Sequence, residues 1–220
     1  MTRWLIVLVS LTGVAIAKPK RHAHADNMPR GWSWPPNREM EAQAKACEAK
    51  LDELGVSWKS AKREGHIVDA VTIPEGALGG IQYIAEYKSN IPVMDCQLAL
   101  ALAEIAPRLW DAGVREVHVG STYRWSNIRV DGKTKNILSR HALGLAMDVV
   151  SFVDADGREA VVAKDYKKGD ELLLDIEHAV NDSGIFRTVL TPKNDPKSHH
   201  DHFHLEANPD YGDPDDKPRS

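Results

Sequence analysis

Four of the ten histidines fall within six residues, His199-His200-Asp201-His202-Phe203-His204. Some fifty residues upstream, Ser139-Arg140-His141-Ala142-Leu143-Gly144-Leu145-Ala146-Met147-Asp148 sets a histidine and an aspartate seven residues apart. Neither stretch decides much alone. Together they supply two imidazoles, a carboxylate and spare histidines, the donor set and surroundings of a catalytic zinc site, and a fold that uses them must join the two segments.

Zinc hydrolases commonly use three protein ligands and leave a fourth position for water. Two neutral histidines and one aspartate leave such a site with one net positive charge, which lowers the pKa of bound water from about 16 to about 7. His141, Asp148 and one histidine of the 199–204 cluster meet that count. His141 then sits in a loop just ahead of a strand carrying Asp148, with Gly144 allowing the tight turn. If residues 200–206 are extended, positions 200, 202 and 204 share one face and Phe203 packs into the core on the other. This alternation does not choose between His202 and His204 as the ligand.

The N-terminus reads as an export leader over residues 1–17. Arg3 gives the positive region, Trp4 to Val14 the apolar run, and Ala15-Ile16-Ala17 the cleavage motif. The apolar run is about 14 residues against the roughly 20 that a spanning helix needs, so no membrane span is expected after cleavage. Export places Cys47 and Cys96 in an oxidising compartment, where a disulfide is the expected state. Neither cysteine has a C-x-x-C spacing that would suggest a zinc thiolate. The net charge of −4 becomes −5 once Arg3 is lost with the leader, and the body has no basic stripe, so no nucleic-acid partner is expected.

Residues 18–45 read mostly as a Pro- and basic-rich linker containing Trp32 and Trp34, residues 46–207 as one domain, and residues 208–220 as a disordered acidic tail. A helix is expected from about Arg38 to Leu54, and a second from Cys96 to Trp110, capped by Asp95 and stopped at Asp111-Ala112-Gly113. Strands are expected over Gly65–Ile73, Ile81–Tyr87, Val114–Tyr123, Ala146–Val153, Ala160–Val162, Phe186–Leu190 and His202–Glu206, with a short helix over Glu171–Asn181. The result is an α+β domain, an antiparallel sheet with helices on one side and the metal site at the sheet cleft.

Ser139-x-His141-x-x-Gly144-x-Ala146-x-Asp148 followed by His202-x-His204 resembles the zinc peptidases grouped around lysostaphin, D-Ala-D-Ala peptidases and hedgehog. More closely, Ser139–Phe152 together with His199–Glu206 resembles the extensin-like C-terminal domain family of bacteria, over roughly Cys47 to Ala207. The resemblance implies a hedgehog/D-Ala-D-Ala peptidase-like fold and zinc held by His141, Asp148 and His204. It implies that His199 and His202 line the site, and it offers two general bases, His202 and Asp201, between which the sequence does not decide. Tyr123-Arg124 is similar to the S-G-Y-R segment of those peptidases and implies that Arg124 binds a substrate carboxylate or oxyanion. Ser139, the first residue of the motif, is a further substrate-binding candidate. Typical family members carry a cysteine beside the Tyr-Arg segment and another ahead of the helix-to-strand turn; here Trp125 and Ser183-Gly184-Ile185 stand there, so that disulfide is absent.

The function implied is an exported, periplasmic or secreted zinc peptidase cutting a peptide bond in bacterial peptidoglycan, with the stem peptide as partner. The alternative is a non-catalytic zinc-containing module that binds the cell wall or a protein. A non-haem iron triad fits poorly, because its first two ligands usually stand as H-x-D or H-x-E.

Overall fold

The computed structural model describes residues 27–87, 93–130 and 133–212. The leader, the first part of the linker and residues 213–220 lie outside the described residues.

Helix α1 (Arg38–Glu53) starts where the Asn37 side chain accepts the Met40 N–H at 2.9 Å, and Glu39 and Glu41 complement its positive end. Met40, Cys47 and Leu51, spaced by seven and four residues, form its buried stripe. Helix α2 (Cys96–Asp111) begins where Asp95 accepts the Gln97 N–H. It is buried nearly all round, with Leu98, Leu102, Ile105 and Leu109 along one side and alanines filling the closer approaches. Cys47 and Cys96 are joined by a disulfide, which ties the middle of α1 to the first residue of α2.

The short strands β1 (Lys59–Ser60), β2 (Ala70–Thr72) and β5 (Met94–Asp95) form a three-stranded sheet. The principal sheet runs in the order β11 (Phe186–Leu190), β12 (Phe203–Ala207), β9 (Ala146–Asp154), β6 (Val114–Ser121), β4 (Ile81–Ala85) and β3 (Ala77–Leu78). β10 (Glu159–Val161) pairs with the second half of β9, beyond the stretch that β12 occupies. Helix α4 (Glu171–Asp182), capped by Asp170, packs against α2, and α2 against the sheet. The one-turn helix α3 (Val162–Asp165) follows β10 directly.

The domain is α+β as expected, but its sheet is mixed. β4 and β6 are parallel, with Gln82 opposite Glu116 and Ala85 opposite Val119. Parallel neighbours need a long crossover, and α2, lying between them in sequence, supplies it. Two further expectations need correction. The strand expected over Gly65–Ile73 shrinks to β2, because the chain turns at Gly65, where φ is +51°. The polar segment after Trp125, read as no element, forms a hairpin of β7 (Asn127–Val130) and β8 (Lys133–Leu138).

The linker and tail boundaries also shift. Tyr211 is buried with Met40, Val68 and Trp32 in a small second core, and its N–H donates to the Arg30 carbonyl. Arg30 meets Asp210 at 2.9 Å. One aromatic anchor therefore orders residues that composition alone assigned to a disordered tail, and it fastens them to the arm ahead of α1.

Candidate metal centre

Strand register assembles the centre. β12 runs antiparallel to β9 with His204 opposite Asp148, and β6 runs antiparallel on the other side with Ser121 opposite Asp148. Three side chains thus stand in one row across three adjacent strands. His141 joins them from the turn of 3-10 helix Arg140–Leu143, which closes at Gly144 with φ +69°. A Cβ there would lie 2.8 Å from the Asp95 backbone nitrogen, so the turn needs glycine for space as well as for conformation. One donor atom each from His141, Asp148 and His204 lie within 4.8 Å of one another, and all three residues are buried.

The outer partners decide which nitrogens face inward. His141 Nδ1 donates to the Thr122 carbonyl, leaving Nε2 directed at Asp148 Oδ1, 3.2 Å away. His204 turns the other way round: Nε2 meets Glu206 Oε1 at 3.1 Å and Nδ1 meets Asp148 Oδ1 at 2.8 Å. Carboxylate and carbonyl partners of this kind fix the tautomer and angle of metal-binding imidazoles. Ser121 Oγ donates to Asp148 Oδ2 at 2.8 Å, holding the carboxylate from its far side.

The local electrostatics follow from these contacts. Burial pushes the Asp148 carboxyl up, but the His141 and His204 rings beside its Oδ1 outweigh it and hold the group well below the usual carboxylate range. Burial pulls His204 down, yet Asp148 and Glu206 on its two nitrogens raise it to about 9. For His141 burial wins, and its pKa is lowered. Glu206, raised by burial, is brought to about 2 by His204, Arg140 and Arg187. Arg187 Nη1 reaches Glu206 Oε2 at 2.7 Å, and the buried Arg140 donates to the carbonyls of Asn27 and Ala207.

The other expected residues divide. β12 begins at Phe203, so residues 199–202 belong to the preceding bend and the alternation proposed from residue 200 does not apply. His202 nevertheless reaches the centre, with Nε2 3.6 Å from Asp148 Oδ1, and its Nδ1 meets Asp201 Oδ1 at 2.7 Å. The two candidate bases are therefore hydrogen-bonded to each other. His199 packs against His202 and His204, with ring centroids 4.8 and 5.2 Å away, and its Nδ1 meets Asp195 Oδ2 at 2.8 Å. Arg124 is exposed and brings Nη2 to 3.5 Å from Asp148 Oδ2. Ser139 bonds through its hydroxyl to Ser126 Oγ at 2.8 Å rather than to the three central residues. His200 is largely exposed.

Sequence reasoning missed Ser121, the Thr122 carbonyl, Asp195 and Glu206. Glu206 carries a usable signal: two residues beyond His204 in a strand, it shares that histidine's face.

The donor set, two imidazoles and a carboxylate with their outer partners in place, is of the kind that holds zinc through three protein ligands. The family model described as "Extensin-like protein C-terminus" matches residues 45–213, a stretch that takes in every residue of the centre. No curated protein and no solved structure matches the chain. With the family match covering well over half of its length, the chain belongs to the extensin-like protein C-terminus family.

Proposed function

We propose that the protein is an exported zinc peptidase that hydrolyses a peptide bond in bacterial peptidoglycan, with zinc held by His141 Nε2, His204 Nδ1 and an oxygen of Asp148. The observation that carries this reading is the orientation of both imidazoles by outer acceptors, which leaves one nitrogen of each free to converge with Asp148. A chance cluster of polar residues has no need of such partners. Zinc, when bound, supplies a Lewis acid that polarises a carbonyl and acidifies water.

The chain's own residues supply the rest. His202, steadied by Asp201, accepts a proton at Nε2 and returns it to the leaving amine. Arg124, exposed beside Asp148, binds a carboxylate or the developing oxyanion of the stem peptide. His199, backed by Asp195, lines the same side. The disulfide supports an oxidising compartment and hence export. Among the described residues no helix is long and apolar enough to cross a membrane.

The test is metal analysis of the purified protein, followed by mass spectrometry of the fragments released from purified sacculi. Zinc-loaded protein is expected to release fragments, and His204→Ala to lose both zinc and release. One zinc per chain with nothing released, under conditions where an active endopeptidase works, would reject the peptidase and leave the non-catalytic module.

A further inference from the structure

Beside the metal centre lies an aromatic patch that the hydrolytic reading does not use. Trp34, from the arm ahead of α1, packs on the His66 ring with centroids 4.4 Å apart, and Trp32 lies 6.4 Å from Trp34, with the planes only 15° from parallel, and 5.9 Å from His66. Trp125 meets His66 edge-on at 4.9 Å. Gly65 makes the junction close: a Cβ there would lie 2.4 Å from Tyr123 Oη and 3.0 Å from the Trp125 ring. Despite this packing, Trp34 remains 37% exposed and Trp125 58% exposed. What sets these rings apart from a single exposed indole such as Trp110 is that they are grouped, and grouped exposed aromatics offer a surface on which a ligand can stack.

Position and rim narrow the partner. Trp125 follows Arg124, whose guanidinium reaches Asp148, and Ile67, the residue after His66, lies against Gly144 of the turn that carries His141, so both ends of the patch are tied to the centre by neighbouring residues. Lys62, Arg63 and Glu64 are exposed along its edge, and Arg63 lies over Trp34 at 5.8 Å. Burial lowers the His66 pKa, so at pH 7 the middle ring is a neutral aromatic. A nucleic acid stacks on aromatics too, but it needs a basic groove, and this edge carries both signs in a chain of net charge −4. A pyranose ring matches better. One face presents C–H groups to an indole, while its hydroxyl and amide substituents radiate toward a mixed polar rim.

We propose that Trp34, His66 and Trp125 form a platform for the N-acetylated amino-sugar strand of the wall polymer, holding the glycan while its attached peptide enters the metal centre. This rests on the peptidoglycan reading above. It adds a sugar-binding subsite distinct from the zinc ligands and their neighbours.

The experiment measures binding of glycan strands stripped of their stem peptides to the whole chain, by titration calorimetry with a chelator present. Saturable binding is expected, weakened about tenfold by Trp125→Ala and by Trp34→Ala, with Trp125→Phe retaining part of it. Trp110→Ala serves as the control, since Trp110, on α2, is 45% exposed but lies under the Arg115 guanidinium of β6. It is expected to bind as the unaltered chain does. Absence of binding by the unaltered chain, equal binding by all variants, or binding that requires the stem peptide would each overturn the platform. Because zinc is absent from the assay, glycan binding without hydrolysis of sacculi would sink only the peptidase reading.

Discussion

Glu206 offers the sharpest test of the proposed metal centre, because its hydrogen bond to the three central residues runs to His204. Its Oε1 lies 3.1 Å from His204 Nε2, and its Oε2 accepts from Arg187 at 2.7 Å. Glu206→Gln keeps the shape and one acceptor but removes the charge that holds a proton on Nε2 and directs Nδ1 inward. Outer partners of this kind are worth roughly 10- to 100-fold in metal affinity, which is about 1.4–2.7 kcal/mol. The same change turns the ion pair with Arg187 into, at best, a bond from the guanidinium to a neutral carbonyl, costing about 1.5–3 kcal/mol of metal-free stability. Arg187 is more than a quarter exposed, so water absorbs part of that loss, and the lower end is expected. Zinc affinity is read by competition with a chromophoric chelator at pH 7.5, and stability by urea unfolding in EDTA. His202→Ala, which removes the other histidine of the pair, is expected to leave zinc affinity within a few-fold. If Glu206→Gln binds zinc as tightly as the unaltered chain while His202→Ala does not, then His204 is not the ligand and the orientation argument fails.

Three further outcomes are expected. Asp95 caps α2 while fully buried, and burial raises its pKa to about 7 against the backbone N–H groups of Gln97, Asp69 and Val68. A carboxyl raised on folding binds its proton more tightly in the native state, so stability falls as pH rises from about 4 to about 7, by at most about 4 kcal/mol. Asp95→Asn, which keeps the capping oxygen, is expected to flatten that slope in metal-free urea unfolding; an unchanged slope would refute the assignment. Replacing Cys47 and Cys96 by alanine opens a 49-residue separation and is expected to cost about 4 kcal/mol, or roughly 10 °C in calorimetry. Gly144→Ala forces a Cβ against the Asp95 backbone at a positive φ and is expected to cost about 1–3 kcal/mol and to weaken zinc binding by displacing His141 relative to Asp148.

What the sequence made legible was local. Asp95 ahead of an apolar 3.6-residue pattern places α2 to within a residue, and the apolar run Phe186–Leu190 places β11. His141, Asp148 and the 199–204 cluster could be singled out because their residue types are rare together; only the family resemblance chose His204 over His202, and the structure gathers His141, Asp148 and His204. Whatever depended on pairing was hidden. The parallel contact of β4 with β6 joins residues more than thirty apart, and nothing in either strand records the direction of its neighbour. Ser121 and Glu206 become partners of the centre only through the register of β6, β9 and β12. The hairpin of β7 and β8 was missed because lysines, threonine and asparagine replace the expected apolar alternation. Tyr211 was missed for the opposite reason: a single aromatic residue outweighs the proline, glycine and aspartate around it.

β12, the last described strand in chain order, lies between β11 and β9 rather than at the rim. A growing chain that has emerged only as far as the 190s therefore has β9 and β11 unjoined, with a gap where Phe203–Ala207 belongs. Closing that gap is a late, long-range event that carries a high loop-closure cost. It delivers His204 at the same moment. Assembly of the His141–Asp148–His204 cluster is thus tied to completion of the sheet, so a chain cut short before residue 203 would lose the sheet and the cluster together.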